Sequence, residues 1–207
     1  MLTFGKFDGV HLAHYKLLDG VVEVARPRGA IAAAITFEPH PIKFLSPARA
    51  PKLFTLFARK ARLVGHSGID LLVVLPFNRE LAHLSPLEFV RTILVQPVHT
   101  VTVYVGPNFR FGSRQAGDEE ILEELGWQGG FKAEVLPLLG VRGQRVSSTR
   151  IRELLVEGNV VGEVGVSGST VESERAVLVA GAETYALLTS NRRQRPSTAR
   201  PLNLHYS

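Results

Sequence analysis

The stretch Thr3-Phe4-Gly5-Lys6-Phe7-Asp8-Gly9-Val10-His11-Leu12-Ala13-His14 decides how the rest of the chain is read. A short apolar run, Leu2 to Phe4, ends in glycine and passes through a second glycine. It then enters a segment with apolar residues at Val10, Leu17, Leu18, Val21 and Val22, the spacing of a helix face. The order is strand, glycine turn, helix. Gly5 and Gly9 let the backbone approach a ligand, and the first N–H groups of the helix point at whatever sits there, which favours an anion such as phosphate. His11 and His14 share one face of the first turn, placed to donate to phosphate oxygens. Two histidines at this spacing also occur as metal ligands, but the chain has no cysteine and no third ligand stands out.

Working outward, turn residues and apolar runs alternate in a regular way. A first helix is expected over roughly 12–26, broken by Pro27 and Gly29. Ala30 to Thr36 is a short apolar run that suits a buried strand, although its alanines leave a helix open. Two prolines in Phe37-Glu38-Pro39-His40-Pro41 argue against regular structure there, and 42–54 is expected to be irregular. Leu53 to Val64 has helical spacing and stops at Gly65. Asp70 to Leu75 is a buried strand closed by Pro76. Ser85-Pro86-Leu87-Glu88 supplies an N-cap, a proline at the first helical position and a capping glutamate for a helix over about 86–95. Thr100 to Val105 is a β-branched strand, followed by a helix to about 125, a short strand near Ala133 to Leu136, and a helix that Ser148 or Thr149 caps and Gly158 ends. Strands alternating with helices imply an α/β fold with a parallel sheet flanked by helices.

The bulk numbers set bounds. A chain of 207 residues, 45% hydrophobic and 21% charged, buries a sizeable core. Without cysteine it has no disulfide or thiol chemistry, which fits a reducing compartment. No apolar run approaches the length of a membrane span, and no basic leader precedes the first strand, so a cytoplasmic protein with no membrane partner is expected. The net charge of +5 owes much to Arg192, Arg193, Arg195 and Arg200, in a segment from 192 to 207 with no acid. The near-neutral remainder offers no basic stripe for nucleic acid.

Four blocks carry a resemblance. The opening stretch resembles the first motif of the adenylyltransferase half of bacterial bifunctional riboflavin kinase/FAD synthetases, members of the His-x-Gly-His nucleotidyltransferases, with Ala13 where that family has glycine. Thr36-Phe37-Glu38-Pro39-His40-Pro41 is similar to the second motif, with Glu38 for the usual aspartate. Gly106-Pro107-Asn108-Phe109-Arg110-Phe111-Gly112 and Val146-Ser147-Ser148-Thr149-Arg150-Ile151-Arg152 follow in family order, and the match covers about 2–159. Read alone, the third block is a glycine-bounded binding loop with two exposed-looking aromatics, and the last is a helix cap whose hydroxyls and arginine also suit a triphosphate.

The resemblance implies a Rossmann-like nucleotidyltransferase domain over 1–159 that transfers AMP from ATP to FMN. It implies catalytic roles for His11, His14, Asn108 and Arg152. It places Gly5, Phe7, Asp8, Gly9, Ser148, Thr149 and Arg152 around ATP, and Pro39, His40, Pro41, Asn108, Phe109, Phe111 and Arg145 around FMN. Magnesium would accompany ATP, held by phosphate oxygens and water rather than by protein ligands. Residues 160–207 lack the Gly-x-x-Leu-Gly-Phe-Pro-Thr-Ala-Asn segment that opens the kinase barrel of that family. They are expected to be a degenerate or truncated remnant, an irregular and partly disordered tail with a strand or two between 160 and 191, and riboflavin kinase activity is not expected. Two other functions stay open: adenylyl transfer to another small phosphate such as phosphopantetheine or nicotinate mononucleotide, and a non-catalytic flavin- or nucleotide-binding remnant. The oligomeric state is not legible.

Overall fold

The computed structural model describes residues 1–96, 99–136, 140–141, 144–145, 147–156, 177–180 and 184–188. Five parallel strands form the centre of the sheet: β1 (Leu2–Phe4), β2 (Ala33–Glu38), β3 (Leu71–Pro76), β4 (Thr102–Val105) and β5 (Lys132–Val135). Their spatial order is β5-β4-β1-β2-β3. The alanine-rich run is therefore a strand, with Ala33 to Ile35 paired to Leu2 to Phe4 on one side and Leu71 to Val73 on the other. Strands β1 to β4, largely buried on both faces, read as mostly apolar runs, whereas β5 is only partly buried.

Alternation along each strand divides the core in two. Leu2, Phe4, Ala33, Ile35, Val73 and Leu75 face one helical layer. It comprises α4 (Arg79–His83), α5 (Pro86–Phe89), which continues as a π-helical turn over Val90–Val95, and α6 (Glu119–Gly129). Ala32, Ala34, Leu72, Val74 and Tyr104 face α1 (Leu12–Ala25) and α3 (Phe57–His66). The chain moves from β1 outward to β3 on one side, then returns to place β4 on the other side of β1. That reversal opens a crevice beyond the carboxyl ends of β1 and β4, where open α/β sheets bind ligands. The glycine turn after β1 and the loop after β4 both start there.

Several local expectations change. The prolines after β2 do not exclude regular structure: the strand runs to Glu38, the Glu38–Pro39 bond is cis, and Pro41 opens the short helix α2 (Pro41–Leu45). Proline fits there because the first helical position needs no N–H donor, and His40 Nδ1 caps the turn by accepting from the Ile42 N–H at 3.3 Å. A further turn of 3-10 helix, Pro47–Arg49, shortens the irregular segment. The capping box at Ser85 and Glu88 forms in both directions. Helix α4, not foreseen, starts where Asn78 Oδ1 accepts from the Leu81 N–H at 2.9 Å.

At the far end, β6 (Gly140–Val141) and β7 (Gln144–Arg145) form a small hairpin before α7 (Ser148–Val156). Ser147, rather than Ser148 or Thr149, caps α7: its Oγ accepts from the Arg150 N–H at 3.2 Å. Two strands do lie in the 160–191 region, β8 (Val177–Ala180) and β9 (Thr184–Leu188); β9 pairs antiparallel with β3 and widens the sheet. The Gly158 stop and most of the remnant expected over 160–207 lie outside the described residues. Among the described residues no helix is long and apolar enough to cross a membrane.

Candidate nucleotide site

The glycine turn is tight and held from below. Gly5 N–H donates to the Ile35 carbonyl at 3.0 Å, and Phe7 and Val10 are buried with positive φ of 47° and 38°. Positive φ is costly for bulky and β-branched residues, so packing of both side chains into the core imposes this course. At Gly9, φ is +78°, and an added Cβ would lie 2.9 Å from the Phe54 ring. Glycine is required there on both counts.

The turn delivers His11 to the N-cap of α1, where it makes no side-chain cap. The start of a 14-residue helix thus keeps its positive end without a side-chain cap from His11. The His11 and His14 rings stack with centroids 3.7 Å apart, and Phe7 meets His14 edge-on at 5.4 Å. Both Nδ1 atoms are buried and without a hydrogen-bond partner. Burial pushes His11 down to about 4, with Arg152 assisting against the pull of Asp8. His14 falls well below its ordinary value through burial and the neighbouring His11 and Lys6. Near neutral pH both rings are uncharged, and each offers one N–H donor.

Positive charge comes from around them. Asp8, 5% exposed, pairs with the Arg152 guanidinium from α7 and accepts the Phe54 N–H at 3.0 Å. Arg152 also donates to the Lys52 carbonyl at 3.2 Å and lies over the Phe54 ring at 4.6 Å. Ser148 Oγ donates to the Asp8 carbonyl at 3.3 Å, and Gly9 N–H reaches Thr55 Oγ1 at 3.3 Å. The 52–55 segment is thereby tied to both the glycine turn and α7. His40, nearly buried, is pushed down to about 4 by burial and then by Lys6, with Arg152 and Lys60 adding to the effect. With Nδ1 accepting from Ile42, its proton sits on Nε2.

The structure thus brings Gly5, Asp8, Gly9, His11, His14, His40, Ser148 and Arg152 together, whereas Phe7, expected to line the nucleotide, is 1% exposed and packs in the core beneath them. Pro39 and Thr149 are exposed, and Pro41 is half-buried at the start of α2. Arg145 falls in β7, with only its backbone described. In the loop after β4, Asn108 is exposed with φ of +59°. The two aromatics beside it are not both exposed as expected. Phe111 is 6% exposed, and Phe109 stacks on it at 5.6 Å and meets Phe4 edge-on at 4.6 Å. They anchor the loop to the core, and that anchoring presents Asn108 outward. Sequence reasoning passed over Lys6 and Lys60; the signal at Lys60 was a lysine inside the apolar stripe Phe57, Ala61, Val64.

Residues 1–150 match the family described as FAD synthetase. The chain is 39% identical over 153 residues to a bifunctional riboflavin kinase/FMN adenylyltransferase of Pseudomonas fluorescens, covering 74% of this chain and 49% of that protein. It is 33% identical over 160 residues to the protein of the same description from Escherichia coli K12, covering 77% and 51%. It spans about half the length of these relatives. A crystal structure described as a macrolide-efflux protein from Streptococcus pneumoniae shares the fold, with a TM-score of 0.66 and 24% identity over 77% of this chain and 53% of that one. With a sheet reversal over a glycine turn, a stacked histidine pair and the matched 150 residues, the chain belongs to the FAD synthetase family.

Proposed function

We propose that the chain is an FMN adenylyltransferase. An oxygen of the FMN phosphate attacks the α-phosphorus of ATP in line; the bond to the β-phosphate breaks, and pyrophosphate leaves with the electron pair, giving FAD. Such a transfer needs positioning and charge neutralisation rather than a nucleophilic side chain. The observation that carries the proposal is the stacked, neutral His11–His14 pair at a helix start without a side-chain cap from His11, bordered by Lys6 and Arg152. The imidazole N–H groups and α1 would hold the phosphates as negative charge redistributes in the transition state. Arg152, once free of Asp8, would take the departing pyrophosphate, with Ser148 and Thr149 beside it. Asn108 would orient the FMN phosphate, and the Pro39–His40–Pro41 segment would border the flavin.

Among the described residues no group of three His, Cys, Asp or Glu side chains is placed to hold a metal, and Asp8 is already engaged. In this proposal magnesium comes with the substrate, carried on phosphate oxygens and water as that ion prefers. ATP as substrate and a cysteine-free chain fit a cytoplasmic setting. The relatives from Pseudomonas fluorescens and Escherichia coli are described as bifunctional riboflavin kinase/FMN adenylyltransferases, which supports FMN as acceptor here. A panel of FMN, phosphopantetheine and nicotinate mononucleotide, each with ATP labelled at the α-phosphate, tests the acceptor. Label should move to FMN; transfer to another acceptor instead would overturn the assignment.

A further inference from the structure

Lys60 projects from α3 on the stripe that packs against the sheet, and it is 6% exposed. A buried ammonium is expensive to hold unless fixed acceptors surround it. Here they do, and all three lie at the carboxyl end of β2. Nζ donates to Thr36 Oγ1 at 3.2 Å and to the Phe37 carbonyl at 3.3 Å, and the Glu38 carboxylate stands 3.8 Å away. Thr36 Oγ1 in turn donates to the Lys6 carbonyl at 3.3 Å. One cation therefore joins the two segments that build the crevice: the glycine turn through Lys6, and the Glu38–Pro39–His40 segment through the strand end.

We infer that Lys60 is a positioning residue of the nucleotide site, setting the glycine turn and the His40 segment at a fixed separation and contributing a fixed positive charge to the crevice. It acts through Thr36, the Lys6 backbone and Glu38 rather than by touching substrate: it is 6% exposed, two of its three N–H donors are taken by protein oxygens, and the Glu38 carboxylate stands beside it. Packing alone does not call for an ammonium here. The surrounding stripe of Phe57, Ala61 and Val64 is apolar, and a methionine of similar length would fill the space. The location also matters, because the carboxyl ends of the strands are where this class of sheet places its ligands.

This inference rests on the adenylyltransferase proposal, so its test has readouts besides activity. Lys60→Met and Lys60→Arg are compared with the wild type for FAD formation, ATP affinity by calorimetry, thermal unfolding, and the His40 titration by NMR. In Lys60→Met, turnover and ATP affinity should each fall roughly tenfold or more, since misplacing reacting groups by about 1 Å costs up to about a hundredfold. The melting temperature should stay close to that of the wild type, His40 should titrate at higher pH, and Lys60→Arg should recover most of the loss. Wild-type turnover, ATP affinity and His40 titration in Lys60→Met would overturn the inference. So would equal losses in both variants accompanied by equal loss of thermal stability, which would mark a purely structural lysine. If the wild type forms no FAD, the adenylyltransferase proposal fails, and ATP affinity and the His40 titration still decide the role of Lys60.

Discussion

The Asp8 carboxylate, from the turn after the first strand, holds the Arg152 guanidinium, 144 residues further on, in a partly buried ion pair. Under the proposed function, Asp8 occupies with a protein oxygen the guanidinium that would take the departing pyrophosphate. Removing it should have two opposite effects. Asp8→Ala leaves Arg152 and the Phe54 N–H without their acceptor and should lower stability by about 2 kcal/mol, as for lost hydrogen bonds to charged groups. It should also free Arg152 and tighten binding of inorganic pyrophosphate. Urea unfolding and calorimetry check the two halves.

Acid should destabilise the chain through its histidines. His11 and His40 sit at about 4 when folded, and His14 lies well below its usual value, against about 6.5 when unfolded. The folded state binds fewer protons between these values, so stability is complete above about pH 6.5 and falls as pH drops toward 4. A triphosphate beside the rings favours their charged forms, so ATP binding at pH 6 should take up protons. Calorimetry in two buffers of different ionisation enthalpy measures that uptake.

The loop after β4 should separate anchor from function. Phe111→Ala removes a ring packed on Phe4 and Phe89 and should cost about 3 kcal/mol or more. Asn108→Gly removes an exposed side chain while accommodating the positive φ of 59°, and should leave stability near wild type while lowering turnover with FMN. Denaturant titration and steady-state kinetics on both variants check the contrast.

Ala13 stands in the first turn of α1, half-buried, where the family motif has glycine. Ala13→Gly should cost about 0.5–1 kcal/mol in helix propensity. If backbone approach limits nucleotide binding, the same change should lower the KM for ATP. Thermal unfolding with ATP-dependent kinetics measures both.

The sheet and most of its helices were legible because β1 to β4 are mostly apolar runs closed by glycine or proline, and because the capping box at Ser85 and Glu88 is a local signal. The glycine turn and the histidine pair were legible for the same reason. Helices α2 and α4 were not: at five residues each they are too short for periodicity, and α2 depends on proline serving as a first helical residue. The Asp8–Arg152 pair and the Lys60 relay were hidden because their partners lie far apart in sequence. The burial of Phe111 was hidden because an aromatic between two glycines looks the same whether it faces a ligand or the core. In the structure Phe4 and Phe89 decide the matter.

The most direct measurement mixes the purified chain with FMN, ATP and magnesium and follows FAD and pyrophosphate, with riboflavin plus ATP and the His14→Ala variant alongside. FAD and pyrophosphate in equal amounts from FMN, none from riboflavin, and turnover lowered at least roughly a hundredfold in a folded His14→Ala are expected, the loss being of the size seen when one transition-state donor is removed. A folded wild-type chain that forms no FAD from FMN, or a His14→Ala variant with unchanged turnover, would contradict the proposed adenylyl transfer at this histidine pair.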